Sequence, residues 1–155
     1  MDITIPVVLK SLSTGGSAIK YLRHLHAKAT GDSRAIISEI KENLSYLDMI
    51  ALDEVPLCDV VDNLSITEYK RLSKEGYNFN KLKNKSIAKY KSLMGTDLER
   101  WIGKDTETLI ESIYEKINEI KIRHPYVGNS PKYRWSVRVN NIRKRIWLLL
   151  KHISA

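Results

Sequence analysis

A column of two arginines and a histidine stands out near the end of the sequence. Arg138, Arg145 and His152 are seven residues apart, so on an α-helix they lie almost directly above one another. Guanidinium donors match the oxygens of a phosphate, and imidazole titrates near neutral pH, so the column could hold a phosphate group. The alternative is structural ion pairing with acidic residues of other predicted helices, such as Glu39, Glu42 and Asp48.

Arg145 and His152, with six residues between them, resemble the R-x4–6-H motif of the HEPN superfamily. Proteins of this superfamily are small all-α domains, often dimeric, and many are metal-independent ribonucleases of toxin–antitoxin and antiviral systems. The resemblance implies that His152 acts as general base or general acid at a ribose 2′-hydroxyl. It also implies that Arg145 stabilises the charge that develops on the phosphate. Metal-independent RNA cleavage is therefore one hypothesis for the function.

The positive charge of the chain is concentrated in one segment. The 155 residues include 26 Lys and Arg against 18 Asp and Glu, which gives a formal net charge of +8. Residues 131–155 contain seven of the basic residues and no acidic residue, so the preceding sequence is almost neutral. This segregation favours an acidic partner: a nucleic acid, the acidic face of a protein, or an anionic membrane surface.

A second basic cluster alternates with aromatic residues between positions 77 and 91. Aromatic rings can stack on bases while neighbouring lysines neutralise phosphates. The alternative is a solvated helix whose lysines keep the protein soluble. Across both clusters, the candidate residues for binding a nucleic acid or an acidic partner are Arg134, Arg138, Arg143, Lys144, Arg145, Lys151, Lys83, Lys85 and Lys89.

The last helix is predicted to bury one apolar face. Apolar residues recur there at steps of four and three, within about 40° of the centre of that face at about 100° per residue. Trp147, Leu148 and Leu150 extend the apolar surface around the helix. Such a helix is either central in a bundle or covered by a partner, which includes a second copy of the chain. The residues of the predicted face are Trp135, Val139, Ile142, Ile146, Leu149 and Ile153.

The whole chain, residues 1–155, is predicted to form one all-α domain, a bundle of five or six helices, because no alternating strand pattern appears. Its length is sufficient for a hydrophobic core without disulfides or metals. A first helical stretch is expected to begin near Pro6, to be interrupted by STGGS at 13–17 and to resume at Ala18, and Asp32 or Ser33 is expected to cap a second helix.

Local signals place the later helices. Ser65 and Glu68 have the spacing of a capping box and predict a helix start. The lysine-rich stretch at 80–101 is expected to be helical. Asp105 is predicted to cap the next helix, and the sequence HPYVGNSP at 124–131 is expected to separate it from the last one.

Several classes of function find no support in the sequence. The single cysteine, Cys58, cannot form an intrachain disulfide. His24 and His26 are two residues apart, which on a helix directs them to nearly opposite sides and does not suit one metal ion. No signal peptide and no apolar run long enough for a membrane span is recognisable, so a cytoplasmic protein is expected. The sequence therefore predicts a binding protein without metal or cofactor, with the ribonuclease and an oligomerisation or partner-docking module as alternatives.

Overall fold

The computed structural model describes residues 31–155 together with Arg23 and Ala29. The helical stretch predicted to begin near Pro6 and to resume at Ala18, and the pair His24 and His26, lie outside the described residues. The described part is all-helical and contains no strand, which confirms the predicted fold class. Its α-helices are α1 (Gly31–Leu52), α2 (Leu57–Val60), α3 (Thr67–Lys74), α4 (Thr106–Val127) and α5 (Trp135–Ser154). The short 3₁₀ segments are Val61–Asn63, Phe79–Lys81, Lys91–Leu93, Glu99–Trp101 and Pro131–Tyr133.

Four of these helices have eight residues or more, and α2 is a single turn, so the described part forms a bundle of four helices rather than five or six. The prediction of a helix over 80–101 is wrong, and this is the main reason for the lower number of helices. The buried Leu93 lies six residues after Ile87 and five before Leu98, which on a continuous helix would turn it about 120–140° away from both. Residues 80–101, which we call the wrapping segment, instead pass around the bundle through 3₁₀ turns. Four of their side chains enter the core. These are Ile87, Leu93, Leu98 and Trp101.

Helix α5 is the central element of the core, packed against both α1 and α4. Its predicted apolar face is buried from Trp135 to Leu149, and Ile153 is half-buried at the end of the face. Leu148 and Leu150 are also buried within the chain, while Trp147 is half-buried. The extended apolar surface of this helix is therefore largely covered by the rest of the same chain.

The starts of α3 and α4 are capped in different ways. Asp105 caps α4 as predicted, since its carboxylate accepts a hydrogen bond from the backbone N–H of Thr108 at 2.8 Å. The capping box predicted for α3 is wrong, because the buried carboxylate of Glu39 on α1 takes its place. Glu39 accepts the backbone N–H groups of Glu68 at 2.8 Å and Tyr69 at 3.1 Å. A buried carboxylate requires donors, and the start of a helix supplies them.

Helix α4 also continues further than predicted. It passes through Pro125 and ends at Gly128, which has a positive φ of 53°. Pro125 removes one backbone N–H from the last turn but is exposed on the surface, so the carbonyl it leaves free can be hydrated. The extension carries α4 alongside the start of α5, where the basic residues of α5 begin.

None of the described helices is both long enough and apolar enough to cross a membrane.

Candidate nucleic-acid interface

One flank of α5 forms the wall of a groove between α5 and α4, which we call the α4–α5 groove. Arg134, Arg138 and Arg145 line it at steps of four and seven residues, so all three lie on the same side of the helix. The sequence-predicted flank is therefore one wall of a groove with a volume of about 280 Å³. The charged residues that line it are Lys116, Glu119, Lys132, Arg134, Arg138 and Arg145.

Among the described residues that line this groove, Glu119 on α4 supplies the one carboxylate. It forms ion pairs with Arg138 at 2.9 Å, Lys116 at 3.4 Å and Arg123 at 3.5 Å. Partial burial opposes ionisation of Glu119, but the charges and hydrogen bonds of Lys116 and Arg138 outweigh it, and its pKa lies below the usual value. One negative charge is thus shared among three positive charges, and the groove keeps a positive excess.

Arg145 has the most unusual environment of the basic residues on α5. Its residue is only 7% exposed. Among residues 31–155 its guanidinium has no hydrogen bond or ion pair. Burial lowers the pKa of Arg145, the nearby charge of Arg100 lowers it further, and Asp97 opposes both. Burying a charge without a partner is costly, so Arg145 is not explained by the stability of the fold.

Arg145 lies where the α4–α5 groove meets a second groove, which we call the Trp101 groove. The second groove has a volume of about 390 Å³ and shares Lys116 and Arg145 with the first. On its other side the ring of Trp101 lies 5.0 Å from the Lys104 ammonium and 5.9 Å from the Arg100 guanidinium. The charged residues of the Trp101 groove are Arg100, Lys104, Glu111, Glu115, Lys116 and Arg145. Together the two grooves form one cation-rich path across the surface.

Arg138 is held in place by two aromatic rings at the floor of the α4–α5 groove. The rings of Tyr133 and Trp135 are stacked, with centroids 5.4 Å apart and planes 12° from parallel. The guanidinium carbon of Arg138 lies 5.8 Å and 5.7 Å from the two centroids. Its Nε also donates to the Tyr133 carbonyl oxygen at 2.7 Å. These contacts fix the orientation of a planar cation before any ligand arrives.

Arg134 sits at the start of α5 in a conformation that is uncommon for a residue with a side chain. Its φ of 47° and ψ of 56° fall in the left-handed region, which costs an arginine on the order of 1–2 kcal/mol. The turn is maintained because the Arg134 carbonyl oxygen accepts the N–H groups of Val137 at 3.0 Å and Arg138 at 3.2 Å. The strained residue begins the helix and leaves its own side chain exposed beside the groove.

Two other candidate residues of α5 are instead part of ion pairs within the fold. Arg143 is 2% exposed, and its Nε lies 2.8 Å from the Asp48 carboxylate on α1. Burial raises the pKa of Asp48, although the hydrogen bond and charge of Arg143 oppose that change. Lys144 lies 3.0 Å from the Asp97 carboxylate. For Arg143 and Lys144 the structure therefore shows the structural ion pairing that was the alternative to ligand binding.

The remaining lysine candidates surround the end of α5, away from both grooves. The Lys151 ammonium is sandwiched between the rings of Tyr90 at 4.9 Å and Trp147 at 5.1 Å. Lys83 donates to the carbonyl oxygen of Ala155. Lys85 and Lys89 are exposed in the wrapping segment and line neither groove. The second basic cluster therefore lies near the last turn of α5 and does not extend the path through Arg145.

His152 is enclosed rather than presented to solvent. It is 2% exposed, and its Nε2 lies 2.8 Å from the Thr106 hydroxyl, which in turn donates to the Lys83 carbonyl oxygen at 2.6 Å. Burial and the charge of Lys83 lower the pKa of His152, while a hydrogen bond with the backbone of Lys85 opposes them. His152 lines neither groove, so the structure does not bring it together with Arg145 in one cavity. The position after Arg145, where the HEPN motif usually has a polar residue, is the buried Ile146.

Several cationic or aromatic residues of the site were not binding candidates from the sequence, among them Arg100, Trp101, Lys104, Lys116 and Lys132. Lys116 borders the apolar stripe of α4, so a helical wheel of that helix could have indicated that it flanks the interface with α5. The wrapping segment ends with Arg100 and Trp101, and Lys104 follows it. No local pattern indicated that this segment brings them next to Arg145.

No metal site emerges in the described part of the chain, where no three His, Cys, Asp or Glu side chains are grouped suitably. Comparison of the chain with protein families, with curated proteins and with solved structures gives no match.

Proposed function

We propose that this protein binds nucleic acid through the phosphate backbone, along the path formed by the α4–α5 groove and the Trp101 groove. The observation that carries the proposal is Arg145, a residue that is 7% exposed, has no anionic partner among the described residues and lies where the two grooves meet. A phosphate oxygen would supply the missing acceptors, in the bidentate geometry that a guanidinium favours.

The extent of the path favours a polyanion over a single small anion. Arg134 and Arg145 are eleven residues apart on α5, about 16 Å along the helix axis, and Arg100 and Lys104 lie beyond Arg145. A nucleic-acid backbone places several phosphates over such a distance. An acidic protein face could also meet these cations, and the experiment below distinguishes the two partners.

The first experiment measures the affinity of labelled RNA and DNA by fluorescence anisotropy over a series of salt concentrations. Neutralising four or five phosphates of a single strand gives a slope of log K against log salt of about −3, because bound counterions are released. Lys132→Gln is expected to weaken binding and to reduce the magnitude of that slope by about 1. Lys74→Gln, which removes an equally exposed lysine from α3, is the matched control and is expected to change neither quantity.

Two results would contradict the proposal. One is no detectable binding of RNA or DNA at low salt, which would leave an acidic protein as the partner for these cations. The other is binding that ignores salt or weakens equally in Lys132→Gln and Lys74→Gln. The enclosed His152 gives no support to RNA cleavage, so the same RNA is expected to remain intact on a denaturing gel in the presence of EDTA.

A further inference from the structure

Tyr126 is the most exposed large apolar residue in the described part of the chain. Its side chain is on the last turn of α4 with 89% of the residue exposed, and Ile122, one turn earlier, is 57% exposed. Large apolar side chains at such exposure contribute little to a core. An exposed aromatic ring beside a charged groove is, however, what a stacking contact requires.

Tyr126 lies on α4 two turns beyond Glu119, which lines the α4–α5 groove, and is not itself one of the lining residues. It follows Glu119 by seven residues, which on an α-helix brings it to within about 20° of the same side, two turns further along. Arg123 lies between them and forms an ion pair with Glu119 at 3.5 Å. The start of α5 is close by, because the Trp135 ring Nε1 donates to the Gly128 carbonyl oxygen at 2.7 Å. The ring of Tyr126 is therefore on the side of α4 that carries Glu119 and Arg123, beyond the residues that line the groove.

We infer that the groove takes single-stranded rather than duplex nucleic acid, with one unpaired base stacked on Tyr126 and the adjoining phosphates held by the groove cations. This inference rests on the proposed function and specifies its ligand. A base of any identity presents a flat π-face, so the contact gives affinity without sequence preference. In a duplex the bases are already stacked on one another, and their faces are not accessible to Tyr126.

The low exposure of Arg145 also favours a single strand over a duplex. Its guanidinium lies where the two grooves join, on a central helix, and the residue is 7% exposed. The α4–α5 groove has a volume of about 280 Å³, which suits a narrow strand better than a wide duplex. The phosphates of a duplex lie on the surface of a wide cylinder, which contacts the exposed rim of such a groove but does not enter it.

The test compares Tyr126→Ala with Tyr126→Phe and with Arg134→Gln. Anisotropy is measured on a single-stranded RNA of mixed sequence and on the same sequence annealed into a duplex. The wild-type protein is expected to bind the single strand more tightly. Tyr126→Ala is expected to weaken single-strand binding roughly tenfold, the usual order for loss of one stacked base, with no change in the salt slope. Tyr126→Phe keeps the ring and is expected to bind as the wild type does, whereas Arg134→Gln weakens binding and lowers the slope.

The outcomes separate the inference from the proposed function. If Tyr126→Ala binds the single strand as tightly as the wild type while Arg134→Gln weakens it, the stacking inference is wrong and the phosphate-binding function stands. Equal or tighter binding of the duplex by the wild type also overturns the inference. If the wild type binds neither nucleic acid, both are refuted. Because Tyr126 is exposed, both tyrosine variants are expected to keep the wild-type circular dichroism spectrum, which excludes loss of folding as the cause.

Discussion

Replacing Arg145 with methionine should make the protein more stable and at the same time a poorer binder. Methionine has a similar length and no charge, so it fills the same volume without the cost of a buried guanidinium. Replacing a buried ion pair with apolar residues of similar volume is often neutral or stabilising by about 1–4 kcal/mol, and we expect the same direction for a nearly buried arginine that has no acidic partner among the described residues. Arg145 lines two open grooves, so we expect the low end of that range, a gain of about 1 kcal/mol in the free energy of unfolding.

The loss of affinity follows from the same geometry. A hydrogen bond to a charged group contributes about 1.5–3 kcal/mol, and nothing else in the described structure competes for the donors of Arg145. Arg145→Met is therefore expected to weaken nucleic-acid binding roughly 10- to 150-fold. Urea unfolding at pH 7 measures the change in the free energy of unfolding, and fluorescence anisotropy with labelled RNA measures the change in affinity.

Arg143→Met is the matched control, because it changes an arginine two residues earlier on the same helix. Arg143 is paired with Asp48 at 2.8 Å, so its removal leaves a carboxylate largely buried without its partner. Breaking such a pair costs about 3–5 kcal/mol, and we expect a loss of stability of that order with little change in the affinity of the folded fraction.

The two variants should thus change stability in opposite directions. A loss of about 2 kcal/mol or more in Arg145→Met would show that this guanidinium stabilises the fold and would refute the reasoning. Unchanged affinity in Arg145→Met would refute it as well, whatever the change in stability.

Two further predictions concern stability and pH. Asp105→Ala should cost about 1 kcal/mol at pH 7, because it removes the cap of α4. Its bonds with Thr108 lower the pKa of Asp105, so the cap stabilises the fold above the unfolded pKa of about 3.9 and is lost as the pH falls through the folded value. The difference in unfolding free energy between wild type and variant should shrink in that window, and a difference that persists under strong acid would contradict the assignment. Burial lowers the pKa of His152, so below about pH 6.5 the unfolded chain binds a proton that the folded chain does not. Stability of the wild type should therefore fall as the pH drops below about 6.5, less steeply in His152→Gln, and equal slopes would show that His152 is not the group responsible.

Features that depend on neighbours in sequence were predictable. The apolar face of α5 follows from steps of three and four residues, and the cap at Asp105 requires only its own helix. The start of α3 close to Ser65 was predicted, but its cap was not, because the acceptor is Glu39, which is 29 residues before Glu68. A local capping box was the best available signal, and a distant buried carboxylate replaced it.

The structure of the wrapping segment also depends on contacts between residues that are distant in sequence. Its lysines and aromatic residues suggested a basic helix, but Leu93 lies six residues after Ile87, which on a helix would turn it about 120° away, and both side chains are buried. The segment closes on itself instead, with the Ile87 N–H donating to the Lys104 carbonyl oxygen at 2.8 Å and the Gly103 N–H donating to the Ile87 carbonyl oxygen at 2.9 Å. That closure carries Lys104 to the ring of Trp101, and so to a site that no spacing in the sequence indicated.

The basic residues of α5 differ in whether their charge is already paired with an acidic residue. The sequence shows only how many basic residues there are. Arg143 and Lys144 are bound to Asp48 and Asp97, and their charges are already neutralised within the fold. Arg138 shares the carboxylate of Glu119 with two other cations. Arg145 alone among these four has no acid in contact in the described part of the chain. The affinity for a polyanion should therefore depend on Arg145 far more than on Arg143 or Lys144, although all three are adjacent in sequence and carry the same charge.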